Sequence, residues 1–323
     1  MKQKRILSTM LLCIALAGCQ KQTTKPQVGM IQIVEHPSLN TIRDGILSEL
    51  EDQGYLDKIE LIYQNAQGDM TILQAIVQTM KGKQVDVVVP IATTTAQAAA
   101  NLADTTPVVF AAVSNPIAAG LITNLDHPDK NITGTSDAVP VKQILELALE
   151  LLPHAKTIGF LYNQAEVNSL EHIAQAKIYA KEKGLRIEEI SVTSISEIQQ
   201  SANVLASKVD FIFTPNDNTV ASSMAPLVKA ADDAKIPVFV GADSMVADGG
   251  LATLGINNYE ELGRETARMV IAVLEGKAVS EIPVTLFREQ LTIYINEKTR
   301  EKLGLTIPDT ITKHYPVVFL GDE

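Results

Sequence analysis

The chain repeats itself once along its length, and that repeat limits its possible folds more than any other feature. The run Val85-Asp86-Val87-Val88-Val89 returns as Val209-Asp210-Phe211-Ile212-Phe213, an offset of 124 residues, and Pro107 to Ala112 returns as Pro237 to Ala242, an offset of 130. Val28-Gly29 returns as Ile158-Gly159 and Gly54 as Gly184, again 130 apart. Such matches in chain order mean two lobes with one strand order, since solenoid repeats are only about 20–50 residues long. The length of 323 residues accommodates two units, at roughly 150 residues per domain.

Within each unit, apolar runs alternate with helical patterns. Val28 to Val34, Val85 to Ile91 and Pro107 to Val113 are nearly continuous in apolar residues, as strands buried on both faces of a parallel sheet must be. Leu39 to Gln53 and Thr71 to Lys81 carry helical spacing between them. The fold class is therefore α/β, with parallel sheets and right-handed crossovers. The polar stretch Thr133-Gly134-Thr135-Ser136-Asp137 reads as a linker between lobes, ahead of a helix from Val141 to Leu152. A second crossing is expected at Thr253 to Asn258, before a helix from Tyr259 to Glu275. A third is expected near Ile282 to Glu289, before a strand from Leu291 to Ile295. One lobe then comprises 28–137 plus about 257–284, the other 138–256 plus about 285–323. Several hinge segments permit closure around a shared cleft.

The N-terminus carries an address. Lys2, Lys4 and Arg5 precede the short apolar run Ile6 to Ala17, which is a secretory signal peptide because about twelve residues cannot span a roughly 30 Å hydrocarbon core. Leu16-Ala17-Gly18-Cys19 is similar to the bacterial lipobox, which implies removal of 1–18, lipidation of Cys19 and a flexible tether over 19–27. The cysteine count then changes meaning. Of two cysteines, Cys13 is discarded and Cys19 is acylated, so disulfides, thiolate nucleophiles and Cys-ligated metals are excluded from the folded body. The net charge of -11 becomes -14 once three basic residues leave with the signal peptide. Such a surface offers no attraction for nucleic acid.

In open parallel sheets, ligands sit beyond the carboxyl ends of the strands. Those ends hold Glu35 and His36, then Thr93, Thr94 and Gln97, then Ser114 and Asn115 in the first lobe. The second lobe offers Asn163, Glu166, Asn168 and Ser169, then Asp217 and Asn218, then Asp243. Of three successive threonines at 93–95, one suffices to cap a helix, leaving a hydroxyl to bind a carboxylate beside a positive helix end. Asp217 or Asp243 then suits an ammonium, a division that fits an amino acid. Asp217 between two asparagines is also an ordinary turn. Ser136-Asp137 lies in a segment ending in Ala138 rather than the glycine of a nucleophile elbow, so the linker reading is preferred over hydrolase chemistry. No dinucleotide, nucleotide-phosphate, zinc or calcium motif occurs, and His36, His127, His154, His172 and His314 form no ligand pattern. No cofactor or metal is expected. The absence of Trp disfavours a sugar, since no indole is available to stack on a pyranose.

Taken in order, these segments resemble a known family over essentially the whole mature chain: the lipoprotein substrate-binding components of ABC importers, in the group that includes tryptophan and tyrosine binders. The resemblance is carried by Glu35-His36-Pro37-Ser38-Leu39, Asn65-Ala66-Gln67-Gly68-Asp69, Ile91 to Gln97, Val113-Ser114-Asn115-Pro116 with Ala119-Gly120-Leu121, Asn131 to Asp137, Tyr162-Asn163 with Glu166 to Ser169, and Asp217 to Ala221. It implies a type I periplasmic-binding-protein fold with two Rossmann-like lobes and an aromatic or related hydrophobic amino acid as ligand. It adds Ser136 and Asp137 to the cleft residues already named. It also implies a monomer that partners ABC permease subunits with a cytoplasmic ATPase, tethered outside the cytoplasm. A sensor that signals to a membrane partner, a binder of sugar or another small solute, and a lipid-anchored hydrolase using Ser136 with His36 and Asp137 remain open as other readings.

Overall fold

The computed structural model describes residues 25–321, apart from 257 and 290. The expected signal peptide and the expected lipidation site, Cys19, lie outside the described residues. The first lobe runs β1 (Gln27–Gln32), α1 (Pro37–Asp52), β2 (Glu60–Asn65), α2 (Met70–Lys83), β3 (Val87–Ile91), α3 (Thr93–Ala99), β4 (Val108–Phe110) and β5 (Ile132–Asp137). The second runs α4 (Val141–Leu151), β6 (Thr157–Asn163), α5 (Val167–Glu182), β7 (Arg186–Val192), α6 (Ile198–Ala206), β8 (Phe211–Thr214), α7 (Asn218–Ala221), α8 (Met224–Ala234), β9 (Val238–Val240), α9 (Asp243–Ala247) and β10 (Ala252–Gly255). The chain then returns to the first lobe with α10 (Tyr259–Leu274) and β11 (Thr285–Phe287). It ends in the second with β12 (Thr292–Asn296), α11 (Glu297–Lys302), α12 (Asp309–His314) and β13 (Val317–Leu320).

The two sheets repeat one topology. The first is ordered β11-β5-β4-β3-β1-β2 and the second β13-β12-β10-β9-β8-β6-β7. In each, the founding strand lies between the second and third, with Val28 paired to Leu61 and Val87, and Ile158 paired to Ile187 and Phe211. Pairing is parallel throughout except between β10 and β12. Central strands such as β3, β6 and β8 are buried along their whole length, as helices on both faces require. The edge strand β2 is only half-buried.

Two boundaries differ from the sequence reading. Thr133 to Asp137 is not a linker but strand β5, because its small and hydroxylated side chains are all satisfied inside the lobe: Thr133 Oγ1 donates to Ile282 O at 2.7 Å, and Thr135 Oγ1 meets Thr266 Oγ1 at 2.8 Å. The first crossing is therefore 138–140. Thr285 to Phe287 pairs with Thr135 to Asp137, so the third crossing follows Phe287 and the first lobe's sheet extends a little beyond residue 284.

α10 packs along α1, and charge fixes the pair. Glu49, 4 % exposed, accepts from Arg268 Nε at 3.0 Å and from Arg264 Nη1 at 3.2 Å. Burial raises its pKa, but hydrogen bonds from Arg268, Gln53 and Arg264 outweigh this and hold it below the usual carboxylate value. Replacing Glu49 by Ala leaves both guanidinium groups without their shared partner. Urea unfolding is expected to show a loss of about 2 kcal/mol, and an unchanged midpoint would contradict the role.

Candidate functional site

The carboxyl ends of the two sheets face each other, and a cavity lies between them. Its polar wall is His36, Ser38, Thr93, Ser114 and Asp137 from the first lobe and Asn168, Asn216 and Asn218 from the second. Its apolar wall is Leu39, Ile42, Ala92, Ala112, Ala221, Ala242, Met245 and Tyr259. No Lys or Arg is among the described residues that line it. Two wall residues are strained: Ala92 has φ 80° and Ala112 φ 53°. Non-glycine residues hold such values only where the surroundings impose them, often at ligand sites.

Ala92 also begins α3 without a side-chain cap, and the threonines that follow are used unexpectedly. Thr95 bonds backward to the carbonyls of Ile91 and Ala92, the latter at 2.7 Å. Thr93 faces the cavity, while buried Thr94 Oγ1 has no partner and lines a separate outer cleft of about 470 Å³ between the lobes.

Contacts across the cleft hold the lobes together. Asn216 Nδ2 donates to Ser114 Oγ at 3.2 Å and to Asp137 Oδ2 at 3.1 Å, and Ser38 Oγ meets Ser244 Oγ at 2.6 Å. Asn115 Nδ2 donates to Glu171 Oε1 at 2.6 Å. His36 Nε2 lies 3.2 Å from Asn218 Oδ1. Asn218 Nδ2 is engaged with Glu166, so His36 must be the donor there and its Nδ1 is a bare acceptor, buried without a partner. Burial lowers the His36 pKa to about 4 against the raising effect of Asn218, so the ring is neutral at physiological pH. His172 is likewise lowered to about 4 by burial, with Asn216 opposing.

Among the described residues, Asp137 is the one carboxylate on the cavity wall. Burial raises its pKa to about 7, despite hydrogen bonds from Ser114 at 3.2 Å and from Asn216 that favour the charge. Ser136 supports it indirectly, donating to Ser114 O at 3.1 Å. Tyr259 stays protonated well beyond its ordinary range, because burial and the charges of Asp137 and Asp243 oppose a phenolate.

Of the sixteen positions singled out in the sequence, His36, Thr93, Ser114, Asp137, Asn168 and Asn218 line this cavity. Thr94, Asn163 and Glu166 line the outer cleft. Glu35 and Asp243 border two shallow rim grooves. Gln97, Asn115, Ser136, Ser169 and Asp217 line none of these spaces. Gln97 donates instead to Ala119 O at 3.0 Å.

Asp217 is the main correction. Its carboxylate caps α7 by accepting from Val220 N at 2.9 Å, and also accepts from Asn163 N and Ser169 Oγ, both at 2.7 Å. Glu166 completes this frame by accepting from the backbone and side chains of Asn218 and Thr219. Burial first, and then the Glu166 charge, push the Asp217 pKa upward. The anionic group facing the cavity is thus Asp137 of the first lobe, not Asp217 of the second. Asn216, one of the two asparagines that flank Asp217 in the sequence, lines the cavity although the sequence reading leaves it out of the candidate set. That reading also misses the apolar wall, whose residues carry no polar signal.

Residues 27–317 match the model of the ABC transporter substrate binding protein family. The chain belongs to that family. It is 37% identical over 324 aligned residues to a tyrosine-binding protein of Clostridioides difficile, covering 94% of this chain and 93% of that one. It is 37% identical to a Streptococcus pneumonia domain solved in complex with L-Trp, covering 91% of this chain and all of that one, with a TM-score of 0.86. A ligand-free, open substrate-binding protein from Clostridium difficile is 38% identical over 92% of this chain and 100% of that one, but gives a TM-score of only 0.65. The hydrogen bonds that join the lobes across the cleft of this ABC transporter substrate-binding protein describe a closed arrangement.

Proposed function

We propose that this substrate-binding protein captures a free amino acid with an aromatic side chain. The observation that carries the reading is Asp137: a buried carboxylate on the cavity wall, with no Lys or Arg among the described residues that line the cavity. An isolated buried charge is costly unless paired, and a ligand ammonium supplies the pair. Thr93 and the first N–H groups of α3 provide donors for the ligand carboxylate. Leu39, Ile42, Met245 and Tyr259 suit an apolar ring. The tyrosine-binding and tryptophan-bound relatives support this class.

The receptor acts by lobe closure, without covalent chemistry, and hands its ligand to ABC permease subunits powered by a cytoplasmic ATPase. It works outside the cytoplasm, held to a membrane by acylated Cys19. Titration calorimetry of the protein beginning at residue 20 against L-tyrosine, L-tryptophan and the other amino acids tests the ligand class. An aromatic amino acid is expected to bind with one-to-one stoichiometry, and at 100 times its Kd to stabilise the protein by about 2.7 kcal/mol. If no amino acid binds, the reading fails.

A further inference from the structure

We propose that Asn115 and Glu171 form a latch that sets how long the lobes stay closed, without either residue touching the ligand. Asn115 follows β4 in the first lobe and Glu171 lies on α5 in the second. Their 2.6 Å hydrogen bond spans the cleft, so it exists only when the cleft is shut. Each of the other cross-cleft contacts described above includes at least one residue that lines the cavity: His36 with Asn218, Ser38 with Ser244, and Asn216 with Ser114 and Asp137. Substituting a cavity-lining residue confounds ligand contact with closure. Asn115 and Glu171 line neither the cavity nor the outer cleft, so their effect on binding acts through the open–closed balance alone.

The pair is built for this. Asn115 Oδ1 accepts from Ala118 N at 3.0 Å and fixes the turn that carries it, leaving the amide nitrogen aimed across the cleft. A neutral donor meeting a carboxylate makes a charge-assisted bond, roughly twice as strong as a neutral one. A bond made only in the closed state must break before the cleft opens, and so slows ligand departure. The inference rests on the proposed receptor function for its ligand readout, but the lobe geometry can be measured without any ligand.

Asn115→Asp keeps the acceptor that holds the turn, removes the donor and places two carboxylates face to face. Stopped-flow release of L-tyrosine or L-tryptophan is expected to quicken about tenfold in this variant. Glu171→Gln alone keeps an acceptor for Asn115 and has a smaller effect. The double variant Asn115→Asp/Glu171→Gln restores a donor–acceptor pair of reversed direction, and is expected to recover slow release, as a coupled pair must. Spin labels on cysteines introduced at the exposed Gln74 and Gln199 report the lobe separation in the ligand-free protein beginning at residue 20, which has no other thiol. There Asn115→Asp lengthens the distance distribution and the double variant reverses the change. Wild-type release and spacing in Asn115→Asp, or no recovery in the double variant, would overturn the latch. If neither amino acid binds, the spacing still decides it, while the failure falls on the ligand class alone.

Discussion

Replacing Asp137 by Asn is expected to weaken binding of the aromatic amino acid by about 30-fold or more, since removing one partner of a buried, hydrogen-bonded charge pair costs roughly 2–5 kcal/mol. The substitution nearly preserves shape, but of the two oxygens that accept separately from Ser114 and Asn216 one becomes an amide nitrogen, so the loss combines the charge with one hydrogen bond. The pH dependence gives a second readout. With its pKa raised from 3.8 to about 7 by burial, Asp137 in the closed, ligand-free protein holds a proton that the unfolded chain lacks between those values. Linkage makes its contribution to folding stability fall as pH rises through that window. The ammonium of a ligand binds the ionised form, so binding runs in the opposite direction. Affinity is highest above about pH 7 and falls as pH drops through it, by at most about tenfold per unit. His36, lowered to about 4, stays neutral over this range and contributes no competing slope. Calorimetry from pH 5.5 to 8.5 should show the slope in the wild type and a flat profile in Asp137→Asn. A flat wild-type profile would remove Asp137 from the ammonium site.

The scaffold was legible because burial on both faces leaves a strand no choice of residue type. Val87 to Ile91 and Phe211 to Thr214 are almost wholly apolar and fully buried, and their repetition disclosed the second lobe. β2 gave no such signal, because Glu60 to Asn65 sits at a sheet edge with only partial burial. β5 was hidden for a different reason. Its Thr133, Thr135 and Ser136 satisfy their hydroxyls against the carbonyls of Ile282 and Ser114 and the hydroxyl of Thr266, so a buried strand carries the composition of a loop.

At the site, the strand-end rule located several segments that line the cavity but could not assign the direction of each side chain. Asp137 and Asp217 are both buried acids at strand ends. One faces the cavity. The other is consumed by the turn into α7, a distinction that depends on three hydrogen bonds made only in the fold. Asn115 shows the same limit, since the sequence placed it among ligand contacts and its partner proved to be Glu171. Met245 and Tyr259 reach the cavity from helix starts, whose position follows from how the chain crosses between lobes.

Gly134→Ala is expected to be the most damaging single-methyl change, and it links scaffold to site. Gly134 pairs with Phe110 across β4 and β5 at φ +152°, and an added Cβ would sit 2.0 Å from Phe110 O. Backbone cannot move aside as a flexible side chain does, so the strands must separate. Overpacking of a rigid core costs typically about 1–3 kcal/mol and occasionally more, and the unfavourable backbone conformation adds about 1–2 kcal/mol. The expected loss of about 3–5 kcal/mol lowers Tm by roughly 10 °C at this size. Gly120→Ala is the control: it has a positive φ of +74° but nothing within 4 Å of the new methyl, so it should lose only about 1–2 kcal/mol. Separation of β4 from β5 also moves Ser114 relative to Ser136 and Asp137, which are joined at 3.1 and 3.2 Å. The folded fraction of Gly134→Ala should therefore bind amino acid more weakly, while Gly120→Ala binds as the wild type does. Equal Tm values for the two variants would show that β4 and β5 can part without cost, and that the cavity wall does not depend on their register.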